Sequence, residues 1–147
     1  MKSRVFFDSN VYIAGFASGT GASIEIIKLA GRKKFELLIC QLVVEESVRN
    51  FKKKLPHALS DFEIGLRVLK PALVEQPAKL NLGLMKLFPK KSDQIIFETV
   101  KSAKVDHLIT LNRKHFHNKK IKDLADFKIS TPAEFLKILR DDEEKHS

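Results

Sequence analysis

Val5-Phe6-Phe7-Asp8-Ser9-Asn10 joins three large apolar residues to an acid and two turn-forming polar residues. So short a run without alternation reads as a strand buried on both faces, followed by a polar turn. Gly15, Gly19 and Gly21 beyond it predict a flexible loop. Ile24, Ile26, Ile27 and Ala30 share one face of a helix over 22–30, for which Gly31 supplies a stop. Phe35 to Cys40 reads as a second buried strand. Val44, Val48, Phe51 and Leu55 then mark a helix from Leu42 that ends before Pro56. A further helix is predicted over 59–69, a short strand at Ala72-Leu73-Val74, a helical stretch over 80–88, and a helix over 93–103 with Ser92 as N-cap.

His107-Leu108-Ile109-Thr110-Leu111 is another apolar run, closed by Asn112, and Phe127 to Ser130 reads as a last strand. Thr131-Pro132-Ala133-Glu134 combines an N-cap, a proline at the first helical position and a glutamate three residues after the cap, the mark of a capping box opening a helix through Leu139. Strands alternating with helices specify the α/β class: an α/β/α sandwich around a central, mostly parallel sheet. Ligands of such sheets bind beyond the carboxyl ends of the strands, where Asp8 and Asn112 each follow one.

The chain has 147 residues, enough for one domain with a sizeable core. We expect that domain over 1–140 and an acidic tail over 141–147. Lys and Arg number 27 against 18 Asp and Glu, a net charge of +9. Asp141, Asp142, Glu143 and Glu144 against Lys145 give the tail −3, so residues 1–140 carry +12. Such a balance favours a polyanionic partner and is shared by binders of RNA, DNA and anionic membranes. The one cysteine, Cys40, lies in an apolar run and reads as a small core residue, which excludes an internal disulfide framework and suits a reducing, cytoplasmic setting. No apolar stretch approaches the roughly 20 residues that span a bilayer, and the N-terminus lacks a signal-peptide apolar region, so no membrane partner is expected.

Asp8 abuts a buried strand, a place where a carboxylate caps a turn or helix or binds metal. Asp93 falls in the first turn of its helix, where the dipole alone favours an acid. Glu45 and Glu46 are adjacent on a helix and point about 100° apart, so one of them at most faces a shared site. Hard cations prefer oxygen ligands, and carboxylates crowded together repel one another unless a cation joins them. His115-Phe116-His117 has the spacing of an imidazole pair but no cysteine nearby. Arg49, Lys52, Lys53 and Lys54 follow Glu46, and Arg113, Lys114, Lys119, Lys120 and Lys122 follow Asn112. These two basic runs beside candidate site residues can hold a nucleic-acid backbone.

Phe7-Asp8-Ser9-Asn10-Val11, Leu42-Val43-Val44-Glu45-Glu46, Ser92-Asp93-Gln94-Ile95-Ile96 and Leu108 to Phe116 resemble the successive motifs of PIN domains. Ser130 to Leu136 resembles the family's closing strand-to-helix passage. The resemblance, specifically to VapC-like members, implies a metal-dependent endoribonuclease hydrolysing RNA phosphodiester bonds. It implies Asp8, Glu46 and Asp93 as ligands of Mg2+ or Mn2+, with Glu45 as the alternative register of the second. Asn112 stands where many members carry a further acid, and is counted here as a fourth catalytic position; His115 stands where another Asp often occurs. Also implied are a role as the toxin of a toxin–antitoxin pair, a small antitoxin partner and a homodimer. Asn112 favours the alternative of a PIN-like RNA-binding module whose catalysis has lapsed. A phosphoacceptor receiver domain fits less well, because Asp8 has no neighbouring acid at the end of its strand.

Overall fold

In the computed structural model, which describes residues 2–146, Val5, Phe6 and Phe7 are wholly buried, as a strand covered on both faces requires. Among the described residues five strands form one sheet: β1 (Arg4–Phe7), β2 (Glu36–Ile39), β3 (Ala72–Leu73), β4 (His107–Ile109) and β5 (Lys128–Ser130). Their order is β3-β2-β1-β4-β5, and every neighbouring pair is parallel, where the sequence predicted a mostly parallel sheet. Phe6 lies opposite Leu38 on one side and Leu108 on the other. The chain builds outward from β1 to β3, then returns across the sheet to add β4 and β5. The order therefore reverses between β1 and β4, and a crevice opens at their carboxyl ends.

Helices α1 (Ser9–Ser18), α2 (Ala22–Gly31), α3 (Gln41–Lys54), α4 (Leu59–Leu69), α5 (Lys91–Ser102), α6 (Lys119–Leu124) and α7 (Pro132–His146) flank the sheet. Aromatic rings knit the layers together, with Phe35 edge-on to both Phe7 and Phe135, and Tyr12 edge-on to Phe62. Cys40 is buried, as expected of a core residue. No described helix is long and apolar enough to cross a membrane.

Four segments differ from expectation. The glycine-rich loop after β1 is instead α1: Asp8 caps it through Ser9 N–H, and Gly15 lies within it. A Cβ on Gly15 would stand 2.6 Å from Ile27 Cδ1 and 3.3 Å from the Ile24 nitrogen, so glycine here lets α1 and α2 approach closely rather than breaking the helix. Helix α5 starts at Lys91, with Lys90 at the cap position and no side-chain cap, so Ser92 lies inside it. The stretch expected to be helical over 80–88 winds as a 3-10 turn over Leu82–Leu87. The capping box forms as predicted, with Thr131 N–H donating to Glu134 Oε1 at 2.9 Å and Glu134 N–H to Thr131 Oγ1 at 3.2 Å, but α7 runs past Leu139 and takes in the acidic run Asp141–Glu144. Ser147, the end of the expected tail, lies outside the described residues.

Among the described residues, three helices end on lysines in the left-handed region; Lys70, at φ 47°, closes α4 with its N–H on Leu66 O, and the other two share a different pattern. After α5, Lys104 has φ 55°, with Lys104 N–H on Lys101 O and Val105 N–H on Val100 O; after α2, Lys33 has φ 59° in the same pattern, so the turn falls two residues past Gly31. Each is a Schellman turn in which glycine avoids a Cβ clash worth about 1–2 kcal/mol. Lys104→Gly is therefore expected to stabilise the fold by about 1 kcal/mol, read as a higher urea midpoint with an unchanged slope.

Candidate active site

Asp8 directly follows β1 and is 7% exposed. Its Oδ1 accepts Ser9 N–H at 2.8 Å and its Oδ2 accepts the Thr110 hydroxyl at 2.9 Å. Thr110 follows β4 and is wholly buried; its oxygen in turn accepts from Asn10 Nδ2 at 3.2 Å and from the Asn112 backbone N–H at 3.1 Å. Asn10 Oδ1 takes Leu111 N–H, and Asp8 N–H donates to Ile109 O. The expected strand 107–111 stops at Ile109: Thr110 N–H still donates to Ser130 O, but Leu111 N–H turns to Asn10 Oδ1 and Asn112 N–H to Thr110 Oγ1. The ends of β1 and β4 are thus stitched together around one carboxylate.

Thr110 and Asn10 are the residues that sequence reasoning missed. The available signal was a hydroxyl at the end of one strand, level with an acid at the end of its neighbour. Thr110→Val keeps the shape but strands an oxygen of Asp8 and the Asn10 and Asn112 donors. We expect it to cost about 1–3 kcal/mol in urea unfolding, with Thr110→Ser close to wild type.

Helix α3 leaves β2 at Cys40 and carries both glutamates. Glu45 is exposed and accepts from Gln41 Nε2, whereas Glu46 is half-buried, with Oε1 shielded from water and lacking a partner. Asp93, third residue of α5, is 6% exposed; its Oδ1 lies 3.3 Å from His115 Nδ1 and its Oδ2 is likewise buried without a partner. Burial pushes the Asp8 carboxyl up, against the Thr110 and Ser9 hydrogen bonds, and Asp93 adds to the rise. Glu46 is pushed up by burial and then by Asp8 and Asp93, with Arg49 and Lys90 opposing. The three acids therefore lie in one another's field. Among the described residues, no three Asp, Glu, His or Cys side chains are already drawn close enough to enclose a metal ion.

Asn112 is exposed and joins the site through its backbone N–H rather than its side chain. The residues of the His115-Phe116-His117 stretch part company: His115 meets Asp93, Phe116 is core, and His117 is exposed. Arg113 is held by Glu134 at 2.7 Å, while Lys114, Lys119, Lys120 and Lys122 remain exposed.

The sequence profile of the PIN domain matches residues 4–114, a span that holds Asp8, Glu46, Asp93 and Thr110. The chain belongs to the PIN-domain family. No curated protein matches this PIN domain. Among solved structures, it superposes on VapBC2 from Rickettsia felis bound to a DNA fragment from its promoter, with a TM-score of 0.64 at 16% identity over 87% of this chain and 98% of that one. It also superposes on PAE2754 from Pyrobaculum aerophilum, with a TM-score of 0.59 at 17% identity over 95% and 97% of the two chains. At that identity the likeness concerns the fold. It agrees with the all-parallel sheet described above.

Proposed function

We propose that this PIN domain is a metal-dependent endoribonuclease that hydrolyses RNA phosphodiester bonds, with Asp8, Glu46 and Asp93 as ligands of Mg2+ or Mn2+. The observation that carries the reading is the pair of shielded, unpartnered carboxylate oxygens, Glu46 Oε1 and Asp93 Oδ2, on residues that share an electrostatic field with a fixed Asp8. Buried polar atoms without partners are uncommon, and buried carboxylates that raise one another's pKa are costly unless a cation joins them. All-oxygen donors suit a hard dication. When bound, the cation supplies Lewis acidity at the scissile phosphate and acidifies water.

The chain's own residues do the rest. Ser9 and Thr110 fix the Asp8 carboxylate in one orientation. Glu46 and Asp93 come from helices whose starts border the same crevice, so substrate approaches from beyond the strand ends. Lys90 and Arg49 sit within the field of Glu46, where they can meet substrate phosphates. The exposed lysines after Asn112 extend a cationic path along which RNA can lie. The Asn112 side chain is available to orient water or a phosphate oxygen. Likeness in fold to VapBC2 suits the further reading that this protein is the toxin of a pair, blocked by a small antitoxin; a cytoplasmic setting and a homodimer complete the proposal.

The test is incubation of a mixed RNA with the protein in Mn2+ or Mg2+, with EDTA as control. Cleavage that requires the metal is the expected result. RNA that is bound but left intact in every metal overturns the nuclease and leaves an RNA-binding module.

A further inference from the structure

The oxygens around the crevice are not equivalent. Both oxygens of Asp8 already accept hydrogen bonds, from Ser9 and Thr110. Asp93 Oδ1 is engaged by His115, and since a carboxylate only accepts, His115 Nδ1 carries the hydrogen. The shielded oxygens left without a partner here are Asp93 Oδ2 and Glu46 Oε1. A single dication drawn in between them would satisfy both.

A second dication would need further oxygen ligands on the β4 side. The chain there reads Asn112-Arg113-Lys114-His115 and offers no carboxylate. A pair of dications would also outweigh the three carboxylates in a partly buried site that already faces Arg49 and Lys90. We propose that His115 is a positioning residue that holds Asp93 by one oxygen and closes the second cation position, so that the site takes one divalent ion per chain. The inference rests on the metal site proposed above. It specifies how many ions that site holds and which residue sets the number.

The measurement is Mn2+ titration of the intact protein without RNA, with free ion followed by its EPR signal. Circular dichroism checks that each variant is folded. Wild type is expected to take one ion. His115→Ala should bind 10–100-fold more weakly, the usual loss when a residue supporting a ligand is removed. His115→Asn, which can place a donor near the position of Nδ1, should recover most of that loss. His115→Asp, which adds a carboxylate and removes the block, should take two ions. A wild type that takes two ions, an alanine variant that binds as tightly as wild type, or an aspartate variant that still takes one overturns the role of His115 and leaves the metal site standing. Wild type that binds no Mn2+, or binds it equally well after Asp8→Asn, removes the metal site itself and this inference with it.

Discussion

Asp8→Asn is expected to lower the rate of RNA cleavage by on the order of 10³-fold or more while leaving RNA binding within a few-fold of wild type. The rate effect follows because a metal at the scissile phosphate is worth several kcal/mol of transition-state charge stabilisation, at tenfold per 1.36 kcal/mol. Binding is spared because the exposed lysines and arginines that would hold the phosphates lie on α3, the 3-10 turn Arg113–Phe116 and α6 rather than on β1. A gel assay for cleavage paired with fluorescence anisotropy for binding separates the two. Equal loss in both assays would mean that Asp8 shapes the fold rather than the chemistry, which its cap on α1 makes the natural rival explanation.

Glu46→Gln is expected to do the reverse to stability. In the metal-free protein Glu46 is pushed up by burial and by Asp8 and Asp93, so its charge works against folding. The raised value sets the sign: between the ordinary carboxylate range of the unfolded chain and the higher values of Asp8 and Glu46 in the folded one, the folded state binds more protons, and stability falls as pH rises through that window. Removing the charge should therefore raise the melting temperature at neutral pH by a few degrees, an effect of about 1 kcal/mol after allowing for its partial exposure. The same substitution should abolish most of the further rise that Mn2+ gives wild type, since a ligand stabilises only the state that binds it. A thermal scan with and without Mn2+ at neutral pH, repeated at pH 5, reads both. A variant that melts below wild type without metal would refute the repulsion argument.

The strands were legible because Val5-Phe6-Phe7, Leu37-Leu38-Ile39 and Leu108-Ile109 are apolar on both faces, as only strands inside a covered parallel sheet need be. The capping box was legible because its two hydrogen bonds are local. Helix α1 was not, because Gly15 is a helix breaker by propensity and its real use, contact with Ile27, depends on a residue twelve positions away in another helix. The sequence likewise left Glu45 and Glu46 undivided by periodicity alone. The difference became plain when Glu45 paired with Gln41 at the surface and Glu46 turned inward. Thr110 escaped for the same reason as Gly15: its partners Asp8 and Asn10 lie about a hundred residues away.

That separation bears on when activity can arise. The hydroxyl that fixes Asp8 is 102 positions downstream of it, and Glu46 and Asp93 are spaced between. A chain emerging from the ribosome cannot assemble the crevice until β4 has been made and has crossed back to pair with β1, a late and entropically costly closure. On the reading proposed above, the enzyme would stay inert through most of its own synthesis, beside the messenger and the ribosomal RNA that are producing it.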